Sequence, residues 1–166
     1  ADRVIFSIAL HNHQPVGNFP EVFEAGYARS YLPMLQALER HPRIRVAMHF
    51  SGPLFDWLET AHPEFFPMLR ALVASGQVEL MTGGYYEPIL PIIPERDRRG
   101  QIRKMTIYLQ RRFRARPAGL WLAERVWEPH LARSIAEAGA GYTIVDDAHF
   151  LAAGVAGEAL TGAFVT

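Results

Sequence analysis

The chain has 166 residues, 49 % of them apolar and 20 % charged, and its formal net charge is zero. That length allows one domain with a real core, and the charge balance gives no electrostatic reason to expect nucleic acid or an anionic membrane as a partner. With no cysteine there is neither a disulfide framework nor a thiolate metal site, and no apolar run approaches the roughly 20 residues of a membrane span.

The chain opens directly on a strand-like run with no signal-peptide pattern, so the expectation is a cytoplasmic, soluble domain that starts here. Residues 3–10, RVIFSIAL, read as a first strand. Residues 21–41 read as a helix with Phe23, Tyr27, Met34 and Leu38 on one stripe, kinked or split at Pro33. IRVAMHF (44–50) is a second strand, and residues 63–76 form a helix with proline in its first turn and Gly76 as its stop. VELMTGGYY (78–86) is a third strand. Residues 94–113 form a helix with acids at its start and arginines at its end, as the helix dipole prefers. AGLWLA (118–123), PHLARSIAEAG (129–139) and YTIVDD (142–147) complete the alternation as strand, helix and strand, and the last residues are weakly patterned.

Strands alternating with helices imply an α/β fold with a parallel sheet. In the first strand Ile5, Ser7, Ala9, His11 and His13 share one face, while Val4, Phe6, Ile8 and Leu10 share the other. The second strand repeats this, with Ala47 and His49 opposite Ile44, Val46, Met48 and Phe50. One face suits packing under helices; the other is small and turns polar at the strand ends, as in a barrel with a site at its mouth. An open doubly wound sheet is the competitor, but its Gly-rich phosphate turn is missing after the first strand. A parallel (β/α) barrel of about five βα units, forming one domain over residues 1–166, is the expectation.

The polar clusters fall at one place in each unit: His11 to Gln14, then His49 and Ser51, then Tyr85, Tyr86 and Glu87, then Glu124 and Arg125, then Asp146 and Asp147. In a parallel sheet these strand ends share one rim, where ligands bind. Taken singly, each has a plainer reading. The H-x-H pair can be two hydrogen-bonded rim histidines, and Glu124 with Arg125 can be half of a structural ion pair. Trp57, Trp121 and Trp127 can be core residues, and the aspartate pair can cap the segment after the last strand. RRFRAR (111–116) reads as a solvated helix end.

HNHQP (11–15), GGYYEP (83–88) and WLAERVWEP (121–129) resemble the first three conserved regions of glycoside hydrolase family 57, in order and over essentially the whole chain. The resemblance implies an incomplete, seven-stranded (β/α) barrel and a retaining enzyme acting on α-1,4-glucans or maltooligosaccharides, as a 4-α-glucanotransferase or α-amylase, without a cofactor or metal. It implies Glu124 as the catalytic nucleophile, helped into its charged form by Arg125. It further implies that His11, His13, Glu87 and Trp121 bind substrate, the indole covering a pyranose face. The family's acid/base aspartate belongs to a later region resembling HDDGE, which is missing here. The barrel is therefore expected to be incomplete at its C-terminal side, with an open edge that invites self-association.

Two other readings stay open. A metal-dependent hydrolase could use His11 and His13 as zinc ligands, although the fourth strand has no lysine and the only one, Lys104, lies in a helical segment. A catalytically inert sugar-binding fragment is the literal reading of the missing acid.

Overall fold

The computed structural model describes residues 6–160 and Phe164. Its strands are β1 (Ala9–Asn12), β2 (Val46–Phe50), β3 (Val78–Leu80), β4 (Gly119–Leu120) and β5 (Tyr142–Thr143). The helices are α1 (Pro20–Gly26), α2 (Leu32–Arg40), α3 (Gly52–Ala61), α4 (Phe65–Ala74), α5 (Glu95–Phe113), α6 (Leu131–Glu137) and α7 (Asp147–Ala152). Every strand pairing is parallel: β1 with β2, β2 with β3, and β4 with β5. A parallel bridge from Thr82 to Leu120 joins the two sheets, with Thr82 N–H donating to Gly119 O at 2.9 Å and Trp121 N–H to Thr82 O at 2.7 Å. The strands therefore follow one another in chain order, each crossover stepping the same way. A doubly wound sheet would reverse direction part-way; an order that never reverses is that of a (β/α) barrel, here a part of one.

The two faces divide as alternation predicts. Val46, Met48, Phe50, Val78 and Leu80 are buried under Leu35 and Leu38 of α2, Leu54, Phe55 and Leu58 of α3, and Phe65, Phe66 and Leu69 of α4. A second cluster gathers Leu120, Ile102 of α5, and Leu131 and Ile135 of α6. The opposite, concave face carries Ala9, His11, Ala47, His49 and Glu79 in register. Tyr142 reaches across it from β5 to hydrogen-bond Glu79 at 2.9 Å. The ring crosses Gly119, where a Cβ would meet Tyr142 ring atoms at 2.4 Å, so glycine is what lets the tyrosine lie flat over β4.

Several elements are shorter than the sequence suggests. The first strand was expected from residue 3; residues 1–5 lie outside the described ones, and the ladder itself starts at Ala9, opposite Ala47. Phe6 and Ile44, assigned to the helix-facing side, are exposed, because they precede the ladder and no helix covers them. The expected helix over 21–41 is α1, a π-helical turn at Tyr27–Tyr31, and α2. Pro33, which lacks an N–H, lies just past that wide turn, so the kink falls where expected. The buried residues Phe23, Tyr27, Tyr31 and Leu35 keep a four-residue spacing. That spacing precesses by about 40° per step on an α-helix, and the wider π turn takes up the drift. Met34 is consequently only half-buried. Helix α3 has no counterpart in the sequence reading, which assigned no element between residues 50 and 63. Its proline sits at the helix start, where a missing N–H costs nothing.

Helix α5 is tied to its surroundings by a buried arginine with no carboxylate partner among the described residues. Arg98 donates to Leu90 O, Ser134 Oγ, Ile93 O and His130 Nε2, at 3.0, 3.0, 3.3 and 3.1 Å. Acceptors from two segments, residues 90–93 and the start of α6, thus fill the guanidinium fork.

Candidate active site

The rim beyond β1 is built by alternation within HNHQ. Asn12 and Gln14 turn inward and lock the loop, Asn12 Nδ2 donating to His49 O at 3.1 Å and Gln14 N–H to Ser51 Oγ at 3.2 Å. Gln14 Nε2 also donates to Tyr31 Oη at 2.9 Å. His11 and His13 point the other way, with ring centroids 5.6 Å apart and planes 12° from parallel.

Glu87 meets both. The GGYYEP segment places it through backbone that only small residues tolerate. A Cβ on Gly83 would lie 2.6 Å from His49 Nε2, and one on Gly84 would lie 2.7 Å from Pro88 Cδ. Glu87 itself takes a left-handed conformation, φ 52°, a strain that non-glycine residues carry mainly at functional positions. Its carboxylate is 7 % exposed, with Oε2 accepting a contact from His11 Nε2 at 3.2 Å. His13 Nδ1 lies 2.7 Å from the same oxygen but off the hydrogen-bonding direction, and Oε1 has no hydrogen-bond partner. Burial alone would raise the Glu87 pKa. The contacts from His11 and His13, with the imidazole charges behind them, outweigh that and hold it at about 2.

His49 stands behind His11, the two paired in the β1–β2 register, with their Nδ1 atoms 3.0 Å apart. It is fully buried, and burial pushes its pKa down to about 3, only partly opposed by Glu87. One tautomer set satisfies His11 at both nitrogens and His49 at Nδ1, leaving His49 Nε2 without a hydrogen-bond partner. His49 Nδ1–H donates to His11 Nδ1, and His11 Nε2–H donates to Glu87. Trp121 closes the row, its indole 4.6 Å from His11 and 7° from parallel. Unlike Trp57 and Trp127, which pack onto the two apolar clusters, Trp121 belongs to neither.

The structure thus brings His11, His13, Glu87 and Trp121 together. It adds His49, which the sequence reading placed on the rim without a role; the signal was its position on the same small face as His11. Glu124 stands three residues past Trp121 in a 3-10 turn, exposed and left-handed at φ 50°, followed by Arg125 at φ 52°. Arg125 was expected beside Glu124, but its Nε pairs with Asp146 at 2.5 Å, because two successive left-handed residues turn the side chains apart. Asp146 precedes α7 without a side-chain capping bond. Tyr85 and Tyr86 leave the rim: Tyr85 donates to Asp56 at 2.6 Å and Tyr86 receives Lys104 at 2.6 Å. No metal was expected, yet His11, His13 and Glu87 place one donor atom each within 4.8 Å of one another.

A family model described as glycosyl hydrolase family 57 matches residues 7–161. The chain belongs to that family. Among family 57 relatives, alpha-amylase 1 of Dictyoglomus thermophilum is 50 % identical over 162 residues, covering 98 % of this chain and 24 % of the relative. The 4-alpha-glucanotransferase of Thermococcus litoralis is 45 % identical over 165 residues, 99 % of this chain and 25 % of that one. The crystal structure of the Thermococcus litoralis 4-alpha-glucanotransferase superposes with a TM-score of 0.93 at 46 % identity, over 96 % of this chain and 25 % of that one. The chain therefore spans about a quarter of the relatives it matches. No helix among the described residues is long and apolar enough to cross a membrane.

Proposed function

We propose that this chain carries the nucleophile and part of the sugar site of a retaining α-glucan-active enzyme, a 4-α-glucanotransferase or an α-amylase. Glu124 attacks the anomeric carbon as the glycosidic C–O bond breaks, and the departing sugar oxygen takes a proton from the acid/base carboxyl. The glycosyl-enzyme so formed is resolved by water or a sugar hydroxyl. Trp121 covers the apolar face of a pyranose, and His11, His13 and Glu87 hydrogen-bond its hydroxyls. The observation that carries this reading is the Trp121–His11 wall beside a buried carboxylate at the strand ends. The 50 % identity to a protein named alpha-amylase and the 45 % identity to one named 4-alpha-glucanotransferase support it. A retaining mechanism also needs an acid/base carboxyl about 5–5.5 Å from the nucleophile, and that role is assigned to no residue of this chain.

The nucleophile can be tested without its partner acid. Fluoride leaves an activated fluorinated glycosyl donor without protonation, so the donor should label Glu124 in the wild-type protein and leave Glu124→Gln unlabelled. Labelling of the variant would overturn the assignment. Maltooligosaccharide binding with no labelling of wild type would leave an inert sugar-binding chain.

A further inference from the structure

We propose that His11, His13 and Glu87 form a binding site for a zinc-type divalent metal ion. The idea does not rest on the glycosyl-enzyme reading, because it needs only the three donors. Two imidazoles and one carboxylate are the ligand set of catalytic zinc sites that keep a fourth position open. Zinc bonds of about 2.0–2.2 Å hold tetrahedral ligands roughly 3.4 Å apart. The three donor atoms already lie within 4.8 Å of one another, so side-chain rotation rather than backbone movement closes the gap.

A second observation points to a cation. The Glu87 side chain is 7 % exposed, its Oε1 has no hydrogen-bond partner, and among the described residues its ionic contacts are to imidazoles, with no arginine or lysine in reach. The imidazoles offset the charge of this carboxylate only when protonated; a divalent ion supplies a permanent positive charge and takes up the free oxygen. His49 provides the outer support such sites need, because a metal-bound imidazole is oriented by a partner on its other nitrogen. With the metal on His11 Nε2, His11 Nδ1–H donates to His49 Nδ1, reversing the 3.0 Å bond that joins them. Both rings change tautomer, the second proton of the pair moving to His49 Nε2, so the two imidazoles stay neutral while the metal takes the lone pair on His11 Nε2. The imidazoles select zinc and its transition-metal neighbours over calcium or magnesium, which take oxygen ligands.

The test is titration of the 166-residue chain with zinc chloride by calorimetry, beside calcium chloride and a Glu87→Gln variant. A second variant, His13→Gln, alters a partly exposed rim side chain outside the core. We expect one zinc per wild-type chain, at least tenfold weaker binding in either variant, and no response to calcium. Nitrogen-15 spectra of the histidines should show His11 protonated at Nδ1 in the zinc form. Absence of zinc binding, binding undiminished by His13→Gln, or equal binding of calcium would each overturn the site. Maltotetraose titrated into the same samples separates the two readings: zinc bound without sugar counts against the glucan site alone, and sugar bound without zinc against the metal site alone.

Discussion

The indole of Trp121, at the end of β4, lies parallel to the imidazole of His11 on β1, 4.6 Å away. Two strands separate β1 and β4 in the sheet order, and in a flat sheet strands three apart would stand some 14 Å from each other. Their contact therefore reports strong curling of the sheet, and it makes one wall from two distant segments. On the proposed function, removing the indole takes away the sugar platform, and it also frees His11. Trp121→Ala should weaken maltotetraose binding at least tenfold, while Trp121→Phe keeps most of it, since a phenyl ring still covers a pyranose face. Calorimetric titration checks both, and equal affinities for wild type and Trp121→Ala would refute the platform.

The Glu87 and His49 pair makes the fold sensitive to acid. His49 is held near a pKa of about 3 against an ordinary 6.5, so below pH 6.5 the unfolded chain takes up a proton that the folded chain refuses. Glu87 is held at about 2 against 4.5, so its share of stability is full above 4.5 and is lost as pH falls through 2. In both cases the unfolded state binds more protons, and stability falls with falling pH over the whole window. Urea midpoints measured from pH 7 to pH 2.5 should decline continuously, and Glu87→Gln should flatten the part below pH 4.5. A midpoint constant down to pH 4 would contradict this account.

A third histidine works in the opposite sense. His62 bridges Glu24 and Glu64 at 2.9 Å each and stacks on Tyr27 at 3.6 Å, pinning α1 and the π turn to the loop before α4. Partial burial disfavours its charge, but the bonds to Glu24 and Glu64 outweigh this and raise its pKa above 6.5. Its stabilisation is complete below 6.5 and disappears as pH rises through the raised value. His62→Gln should therefore lower the thermal midpoint at pH 6 more than at pH 9. A deficit independent of pH would mean that the ring acts by packing alone.

How much of this was legible in the chain? The alternating faces of VAMHF placed His49 inward and Phe50 under the helices without error, because a two-residue period has only two outcomes. The same reasoning gave His11 and His13 a common side. What it could not give was the division of labour within the rim. Whether Arg125 serves Glu124 or Asp146 depends on two left-handed residues, and neither glutamate nor arginine advertises that conformation. Whether a tryptophan is core or wall depends on what stands opposite, and for Trp121 that is a histidine more than a hundred positions away. Helix α3 was hidden by a proline that marks a helix start as readily as a loop.

The left-handed turn at Glu124 leads to a separation of stability from function. An L-residue in that region costs roughly 1–2 kcal/mol, and glycine escapes the cost. Glu124 is exposed and, among the described residues, makes no ion pair, so truncating it removes little packing. Glu124→Ala keeps the backbone strain and loses the carboxylate, whereas Glu124→Gly loses both. Glu124→Gly should then be the more stable of the two by about 1 kcal/mol, a rise of about 2–4 °C in thermal midpoint for a chain of this size, while neither variant accepts the fluorinated donor. If the glycine variant melts no higher than the alanine variant, the strain is not paid at this residue. The turn would then owe its shape to the Arg125–Asp146 pair, and Asp146→Asn should in that case release it.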